Sequence, residues 1–272
     1  MFNSKTARAF DNQSLYLSVV IPVYNEESTI ATVVDLVMNL PNLLEVAIVD
    51  DGSTDKTPEI IQQLAQKYPK VAVVVSERNA GKTNALKKGF LNTKGDIVVV
   101  QDADLEYDPR EIPELIQPLV EGKSGAVYGS RFLVRRAARV LYFHHFLANQ
   151  FLTFLSNLFT NLNMTDIETG YKAFRGEIIR NMVIKSDGFG FEIEVTAKIA
   201  KLARVGLPVY EVPISYYGRT YAEGKKIGLK DGLAALWYIF RFNLFCNLKS
   251  SFYRLPELIE NYCKENPLKS MK

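Results

Sequence analysis

Short apolar runs alternate with amphipathic segments along the first hundred positions of the chain. Four of these runs are rich in β-branched residues and bounded by polar turns, which predicts buried strands at Leu17–Val23, Glu45–Val49, Val71–Ser76 and Ile97–Gln101. The segments between them repeat apolar residues at helical spacing. Strands that alternate with helices form βαβ units, and near-continuous apolar strands fit a sheet that is covered on both faces. The pattern predicts an α/β fold with a mostly parallel central sheet flanked by helices.

The second half of the chain is less regular. The same criteria predict strands at Ala126–Tyr128 and Val209–Ile214 and a helix at Phe191–Leu202. Two further segments, Tyr142–Leu162 and Leu229–Leu248, are rich in Phe, Leu and Tyr but carry polar interruptions. Neither contains the run of about 20 apolar residues that a membrane-spanning helix requires. Two interpretations stay open for them: helices of the protein core, or helices that lie in a membrane surface.

The chain shows no internal repeat and no low-complexity linker. A length of 272 residues suits one large domain with short appendages. We expect an N-terminal extension over residues 1–16, a main domain over 17–228, and an aromatic helix with a basic tail over 229–272. The last segment is the one that would meet a membrane surface under the second interpretation.

Composition narrows the class of protein. With 47% hydrophobic and 23% charged residues the chain is expected to fold, and a formal net charge of +3 is too small to indicate a nucleic-acid partner. Two cysteines, Cys246 and Cys263, are too few for a disulfide framework and are interpreted as free thiols of a reducing compartment. The polar first 17 residues do not read as a signal peptide. We therefore expect a cytoplasmic protein.

Polar clusters follow three of the predicted strands. They are Pro22-Val23-Tyr24-Asn25-Glu26, Asp50-Asp51-Gly52-Ser53 and Asp102-Ala103-Asp104. In parallel α/β sheets, ligands bind beyond the carboxyl ends of the strands, so these clusters mark one candidate site. Two carboxylates spaced as in the third cluster are able to hold a divalent cation against a diphosphate, although Asp-x-Asp is also common in exposed loops.

The second cluster offers another pair of acids. Asp51 is a candidate to accept hydrogen bonds from a ribose or a base, and the alternative is a turn-forming, helix-capping aspartate. Tyr24 and Glu26 on the first rim loop are candidates to contact a nucleobase.

Ala80-Gly81-Lys82-Thr83 resembles the end of a phosphate-binding P-loop, because it follows a strand and opens a helix. The first glycine of that motif falls at Ser76, and Glu77 would put a carboxylate into the phosphate cradle. A P-loop NTPase is thus a rival hypothesis, but the first half of its motif does not match this sequence. Basic residues of the second half, including Arg131 and Arg219, are candidates for a second phosphate or for a solvated surface.

Taken in order, six segments resemble the inverting glycosyltransferases of family two, which have the GT-A fold, and among them the polyprenyl-phosphate hexosyltransferases such as dolichyl-phosphate mannose synthase. The resemblance covers about Ser18 to Lys226. The segments that carry it are Val19–Glu27, Val49–Asp55, Asn79–Lys82, Gln101–Pro109, Gly129–Phe132 and Thr169–Phe174.

The resemblance implies roles for particular residues. It implies a Mg²⁺ or Mn²⁺ cofactor held by Asp102, Asp104 and Glu106, and catalytic roles for Asp102, Asp104 and Arg131. Glu106 stands where glutamine is usual in the dolichyl-phosphate enzymes, which puts the donor sugar in question. The nucleotide-sugar site that it implies consists of Pro22, Tyr24, Glu26, Asp51, Lys82, Asp102, Ala103, Asp104, Arg131, Lys172, Arg219 and Lys225.

The function that the resemblance implies is metal-dependent transfer of a hexose from a GDP- or UDP-sugar to a polyprenyl phosphate. The enzyme would sit peripherally on the cytoplasmic face of a membrane and serve cell-envelope glycan synthesis. Two rivals stay open. Transfer to a saccharide hydroxyl would require a general base, for which the candidates are Asp166, Glu168, Glu192 and Glu194. The other rival is a sugar-nucleotide-binding protein without catalysis.

Overall fold

The structure is a computed structural model that describes residues 15–133, 140, 142–218, 229–256 and 259. The predicted ligand residues Arg219 and Lys225, Cys263, and most of the predicted N-terminal extension and C-terminal tail lie outside these ranges. Cys246 is a free thiol, as expected.

The first half of the described chain alternates strands and helices, as the sequence pattern predicts. The elements are β1 (Leu17–Val23), α1 (Ile30–Val37), β2 (Leu43–Asp50), α2 (Thr57–Lys67), β3 (Val71–Val75), α3 (Lys82–Leu91) and β4 (Ile97–Val100).

The second half adds a 3₁₀ turn, six helices and three strands among the described residues. They are the turn Pro109–Glu111, α4 (Ile112–Val120), β5 (Ala126–Ser130), α5 (Phe143–Thr160), β6 (Lys172–Arg175), α6 (Gly176–Asn181), α7 (Phe191–Arg204), β7 (Val209–Pro213), α8 (Leu229–Leu244) and α9 (Leu248–Ser251). Helices α4 and α6 were not predicted. In α4 the prolines Pro113 and Pro118 weaken the helical signal, although proline is tolerated in a first turn.

Seven strands form one sheet in the order β3-β2-β1-β4-β6-β5-β7. All neighbouring pairs are parallel except those of β6, which runs antiparallel to both β4 and β5. The sheet has a hydrophobic cluster on each face: α1, α2 and α4 cover one, and α3, α6 and α7 cover the other. Gly89 of α3 lies so close to β1 that an added Cβ would stand 2.3 Å from Val20 Cγ1. The predicted mostly parallel, helix-flanked sheet is confirmed.

The strand register brings the predicted polar clusters to one edge. Val23 at the end of β1 pairs with Asp50 at the end of β2, and Val20 pairs with Val100 at the end of β4. Residues that follow these three strands therefore emerge side by side at the carboxyl edge of the sheet. The antiparallel β6 enters the same sheet from the opposite direction, so that residues just before Lys172 arrive at this edge as well.

Helices α5 and α8 pack against each other and carry large apolar side chains outward. The small polar residues Thr153, Ser156 and Thr160 form the buried side of α5. Nine of their exposed apolar side chains form what we call the aromatic surface: Phe143, Leu147, Phe151, Phe154 and Leu158 on α5, with Leu233, Trp237, Phe240 and Leu244 on α8. Among the described residues, no helix combines the length and apolarity needed to cross a membrane.

Candidate active site

A buried ion cluster lies where β4 ends. Lys82, the first residue of α3, places its amine 2.8 Å from Asp102 Oδ1 and 3.3 Å from Oε1 of Glu192 in the first turn of α7. Burial by itself would lower the pKa of Lys82, but the two carboxylates outweigh it and raise that pKa above its ordinary value. The cluster joins two helix starts and one strand end through a permanently charged lysine.

The backbone of Gly170 closes one side of this cluster. A Cβ at Gly170 would stand 2.4 Å from Asp102 Oδ2 and 3.1 Å from the amine of Lys82. The Gly170 N–H donates to the hydroxyl of Tyr107 at 3.0 Å. Glycine is therefore required here for the chain before β6 to approach the carboxylate.

The turn after β4 presents the other predicted acids. The Glu106 N–H donates to Asp104 Oδ1 at 3.1 Å, and Leu105 between them has φ +59°. Glu106 Oε2 accepts a hydrogen bond from the Tyr216 hydroxyl at 2.8 Å. The structure thus brings Asp102, Asp104 and Glu106 onto one short turn at the sheet edge.

Whether this turn suits a divalent cation depends on its donors. Within the described part of the chain, no three His, Cys, Asp or Glu side chains converge on a point that would hold a metal ion by themselves. Mg²⁺ and Mn²⁺ need less, because they bind through one or two carboxylates completed by phosphate oxygens and water. Asp102 and Asp104 supply hard oxygen ligands of that kind, so the residues fit a cation that is shared with a diphosphate.

Asp51 follows the neighbouring strand β2, and only one of its two carboxylate oxygens accepts hydrogen bonds from the described part of the chain. Its Oδ2 accepts the N–H groups of Ala80 at 3.0 Å and Gly81 at 2.6 Å. Its Oδ1 is buried and has no hydrogen-bond partner among the described residues. Burial raises the pKa of Asp51, and the hydrogen bonds to the two amides oppose that rise. A buried oxygen that lacks a partner fits a carboxylate that receives an N–H or O–H of a ligand.

The first rim loop is tied to the second. The Asn25 N–H donates to Ser53 Oγ at 3.0 Å, and the Glu26 N–H donates to Thr57 Oγ1 at 2.9 Å. Asn25 has φ +54°, which turns the loop sharply after β1. Pro22, Tyr24 and Glu26 are half-buried along this loop. Their contact with a nucleotide stays a prediction, and so does that of the buried Ala103.

The start of α3 does not have the open amides of a P-loop. The N–H groups of Ala80 and Gly81 bind Asp51, as described above, and the Thr83 N–H donates to the Gly188 carbonyl at 3.0 Å. A phosphate cradle needs these backbone donors to point at the ligand. Because protein acceptors occupy them, this geometry argues against the P-loop NTPase hypothesis.

Arg131 follows β5 and is held by a buried acid. Its Nε and Nη2 donate to the two carboxylate oxygens of Asp166 at 2.6 and 2.7 Å, and Asp166 is fully buried. The ring of Tyr216 lies under the guanidinium, with 5.1 Å between the guanidinium carbon and the ring centroid. A bidentate Arg–carboxylate pair fixes the plane of the arginine and leaves its remaining N–H groups for a ligand.

Lys172 is placed differently from the other predicted ligands. Its side chain is fully buried, and its amine donates to the carbonyl groups of Ile167 and Thr169. Burial lowers the pKa of Lys172 to about 8, and nearby carboxylates, Glu192 first, oppose that effect. The structure therefore gives Lys172 a role in holding the segment before β6, and its predicted contact with the donor stays a prediction.

The four candidate bases divide into two groups. Glu194 accepts the N–H groups of Lys185 and Ser186 and pairs with Lys198, and Asp166 is paired with Arg131. Glu168 Oε1 and Glu192 Oε2 are buried oxygens without a hydrogen-bond partner among the residues described. Burial, together with the charge of Glu192, raises the pKa of Glu168 to about 7.

Three residues of the site were missed from sequence. Gly170 and Tyr107 lie inside recognised motifs, but their roles depend on a contact between segments more than 60 positions apart. Tyr216 follows β7 in a segment that carries no motif signal. Spacing along the chain does not reveal such contacts.

Comparison with known proteins identifies the family. The sequence profile described as "Glycosyl transferase family 2" matches residues 18–183. The chain is 31% identical over 216 residues to the dolichol-phosphate mannosyltransferase of Pyrococcus furiosus, covering 78% of this chain and 59% of that protein. It is 28% identical over 238 residues to the undecaprenyl-phosphate mannosyltransferase of Micrococcus luteus, covering 80% of this chain and 94% of that protein. The chain spans about three fifths of the length of the Pyrococcus protein.

Solved structures support the same assignment of fold. The glucosyl-3-phosphoglycerate synthase of Mycobacterium tuberculosis superimposes with a TM-score of 0.65 at 24% identity, covering 85% of this chain and 81% of that one. That protein has also been crystallised with Mn²⁺, UDP-glucose and phosphoglyceric acid. The expected GT-A fold is confirmed. Because the family profile matches more than half of the residues of this chain, the chain belongs to glycosyltransferase family 2.

Proposed function

We propose that the chain transfers a hexose from a nucleotide-diphosphate sugar to a polyprenyl phosphate, with inversion at the anomeric carbon. One observation carries the proposal: Tyr216 contacts Glu106, on the turn after β4, through its hydroxyl and the guanidinium of Arg131 through its ring. The turn with the acidic pair Asp102 and Asp104, suited to a cation and a diphosphate, thus shares a neighbour with an arginine suited to a second phosphate. Family membership and the printed activities of the relatives support this assignment.

Asp102 and Asp104 would hold the cation, with Glu106 as the third predicted ligand. A bound Mg²⁺ or Mn²⁺ would neutralise charge on the departing diphosphate. Asp51, with its spare buried oxygen, would accept a hydrogen bond from the nucleoside. The donor is a UDP- or GDP-hexose in this proposal.

The acceptor phosphate would be oriented by Arg131. A phosphate oxygen is ionised at neutral pH, so it attacks the anomeric carbon without a general base. A new C–O bond forms on the face opposite the nucleotide, the C–O bond to the diphosphate breaks, and the nucleoside diphosphate leaves with the bonding electrons. Arginine suits this position because its planar fork binds phosphate oxygens and stays charged.

We place the enzyme peripherally on the cytoplasmic face of a membrane, and the aromatic surface supports its contact with that membrane. Phe143, Leu147, Phe151, Phe154 and Leu158 recur at helical spacing on the exposed side of α5. The fully buried positions of α5 are small and polar, and Leu152, Leu155 and Phe159 are half-buried against the core. Large contiguous apolar patches mark interaction surfaces, and aromatic residues favour the membrane interface.

A second candidate function is transfer to a saccharide hydroxyl. The buried spare oxygens of Glu168 and Glu192 favour it, because a hydroxyl acceptor needs a base and both acids lie near the predicted donor site.

Product analysis distinguishes these functions. We would supply UDP-, GDP- and dTDP-hexoses with Mn²⁺ or Mg²⁺, offer undecaprenyl or dolichyl phosphate and a soluble saccharide in parallel, and identify products by mass spectrometry. A hexosyl polyprenyl phosphate that is lost in Asp104→Asn supports the proposal. Saccharide products without lipid product support the second candidate. Donor binding without any product indicates a non-catalytic binding protein.

A further inference from the structure

Tyr216 and Tyr217 both donate hydrogen bonds to the predicted metal-binding turn. The Tyr216 hydroxyl donates to Glu106 Oε2 at 2.8 Å, and the Tyr217 N–H donates to the Glu106 carbonyl oxygen at 2.9 Å. Glu106 is therefore held at its side chain and at its backbone by consecutive residues of the segment that follows β7. One position earlier, Ser215 binds Glu111 through its N–H at 2.8 Å and its hydroxyl at 2.6 Å.

The Asp104–Glu106 turn has a backbone conformation that hydrogen bonds from other parts of the chain help to hold. Leu105 has φ +59°, a conformation that residues with a side chain rarely adopt. Asp104 is fixed through its Oδ1 by the Glu106 N–H at 3.1 Å. A displacement of Glu106 would therefore move Asp104 as well.

The aromatic ring of Tyr216 reaches the second half of the site. Its centroid lies 5.1 Å from the guanidinium carbon of Arg131 and 5.4 Å from the ring of Tyr107. The hydroxyl of this tyrosine thus contacts the acid turn while its ring supports the arginine.

We infer that Tyr216 is a positioning residue of the donor site, which holds the Asp104–Glu106 turn in the shape that receives a cation–diphosphate and keeps Arg131 beside it. The inference rests on the proposed function, because it takes the turn as the cation site. Groups that hydrogen-bond to metal-binding carboxylates commonly change metal affinity by 10-fold to 100-fold when they are removed.

The test is Tyr216→Phe, which deletes the hydroxyl and keeps the ring. Binding of UDP and GDP would be measured by calorimetry across a Mn²⁺ titration, without any acceptor. We expect the Mn²⁺ concentration for half-maximal nucleotide binding to rise by about 3-fold to 10-fold, with metal-free nucleotide binding unchanged. Tyr217→Phe is the matched control, since its side chain is 57% exposed and its backbone donor is kept; it should behave as wild type.

A second comparison separates positioning from a loss of stability. Glu106→Ala and the double variant Tyr216→Phe/Glu106→Ala should show the same Mn²⁺ dependence, because the hydroxyl acts through Glu106. Additive effects, or a Tyr216→Phe variant with wild-type Mn²⁺ dependence, overturn the inference and leave the proposed function intact. If the nucleotide affinity of the wild-type protein does not change with Mn²⁺ concentration, both the metal-dependent function and the inference are wrong.

Discussion

Lys82 forms ion pairs with Asp102 and Glu192 in a site from which water is largely excluded. A buried charge is costly unless it is paired, and here one lysine forms ion pairs with two carboxylates at once. If a cation takes over Asp102, Lys82 still has Glu192 as its partner. Asp102 is thus paired before a cation binds, and Lys82 keeps a carboxylate partner afterwards.

At the residue scale, the bidentate geometry of Arg131 leads to a first prediction. Arg131→Lys removes the fork that binds Asp166 and the remaining N–H groups that would meet the predicted acceptor phosphate. We expect kcat/KM for polyprenyl phosphate to fall by about 10-fold to 100-fold, or about 1.4–2.7 kcal/mol of transition-state stabilisation. Steady-state kinetics with varied acceptor measures it.

The matched control for this variant is Arg110→Lys. Arg110 forms the same kind of fork with Asp108, but its side chain is 75% exposed. Equal losses in the two variants would contradict a specific role for Arg131.

A second prediction at this scale concerns Glu168. Burial and Glu192 raise the pKa of Glu168 to about 7, above its unfolded value of 4.5. The folded chain then binds more protons at this group than the unfolded chain between pH 4.5 and 7, so its contribution to the free energy of unfolding falls as pH rises through that window. Glu168→Gln should remove this loss, because glutamine does not titrate. The free energy of unfolding of the variant minus that of wild type should therefore be about 1–3 kcal/mol greater at pH 7 than at pH 4.5.

Urea denaturation of both proteins at pH 4.5 and pH 7 measures the difference. Lys172, Arg131 and Asp166 also act on Glu168, and they are present in both proteins. Glu177→Gln, at an exposed position of α6, is the control. A difference between wild type and Glu168→Gln that does not change with pH would refute the raised pKa.

At the scale of secondary-structure elements, α5 exposes several large apolar residues, while its fully buried positions are small and polar. An amphipathic helix of a globular protein normally does the reverse. The same side of α8 continues the surface, and the rings of Phe159 and Phe240 lie 5.3 Å apart where the two helices meet. Both helices thus contribute exposed apolar side chains to the aromatic surface.

The prediction at this scale is that Phe151→Ser/Phe154→Ser weakens membrane binding. The side chains are 55% and 65% exposed, so their loss should leave folding stability nearly unchanged. Withdrawing even part of two phenyl groups from the lipid should weaken partitioning at least about tenfold, since each is able to contribute about 1.5–3 kcal/mol. Flotation with liposomes that contain anionic lipid measures the bound fraction.

Leu91→Ser, at a 72% exposed position of α3 outside the aromatic surface, is the control for that experiment. If the double variant and the control float equally well, the aromatic surface has another purpose.

At the scale of the whole molecule, β6 runs antiparallel between β4 and β5 and so joins the two halves of the chain in one sheet. Helix α8 packs against α7 and α5 of the second half. These contacts predict that urea unfolds the protein in one cooperative transition. Far-UV circular dichroism and the fluorescence of Trp237, the single tryptophan, should give coincident curves.

Gly89→Ala sharpens this test, because it places a Cβ against Val20 in the first half while Trp237 reports from α8. Overpacking of this kind costs about 1–3 kcal/mol. Both probes should shift together; a shift confined to circular dichroism would reveal two independently folding parts.

The parallel half of the sheet was predictable because each strand and helix carries its own periodicity. Ile97–Val100 is apolar throughout and Leu17–Val23 is apolar except for Ser18, so their burial on both faces follows from local sequence. By contrast α4 was missed, because Pro113 and Pro118 weaken its local helical signal while packing on the sheet stabilises the helix. Tertiary contacts outweigh propensity at such positions.

The sequence by itself determined the α/β fold, the strand ends that carry Asp51, Asp102 and Asp104, and the family, since these depend on local pattern and on motifs of adjacent residues. Tertiary structure alone decided which side chains meet: Lys82 with Glu192, Arg131 with Asp166, and Tyr216 with Glu106. It also decided that α5 turns its aromatic side outward. Contacts between distant positions depend on register and helix packing, and a one-dimensional pattern contains neither.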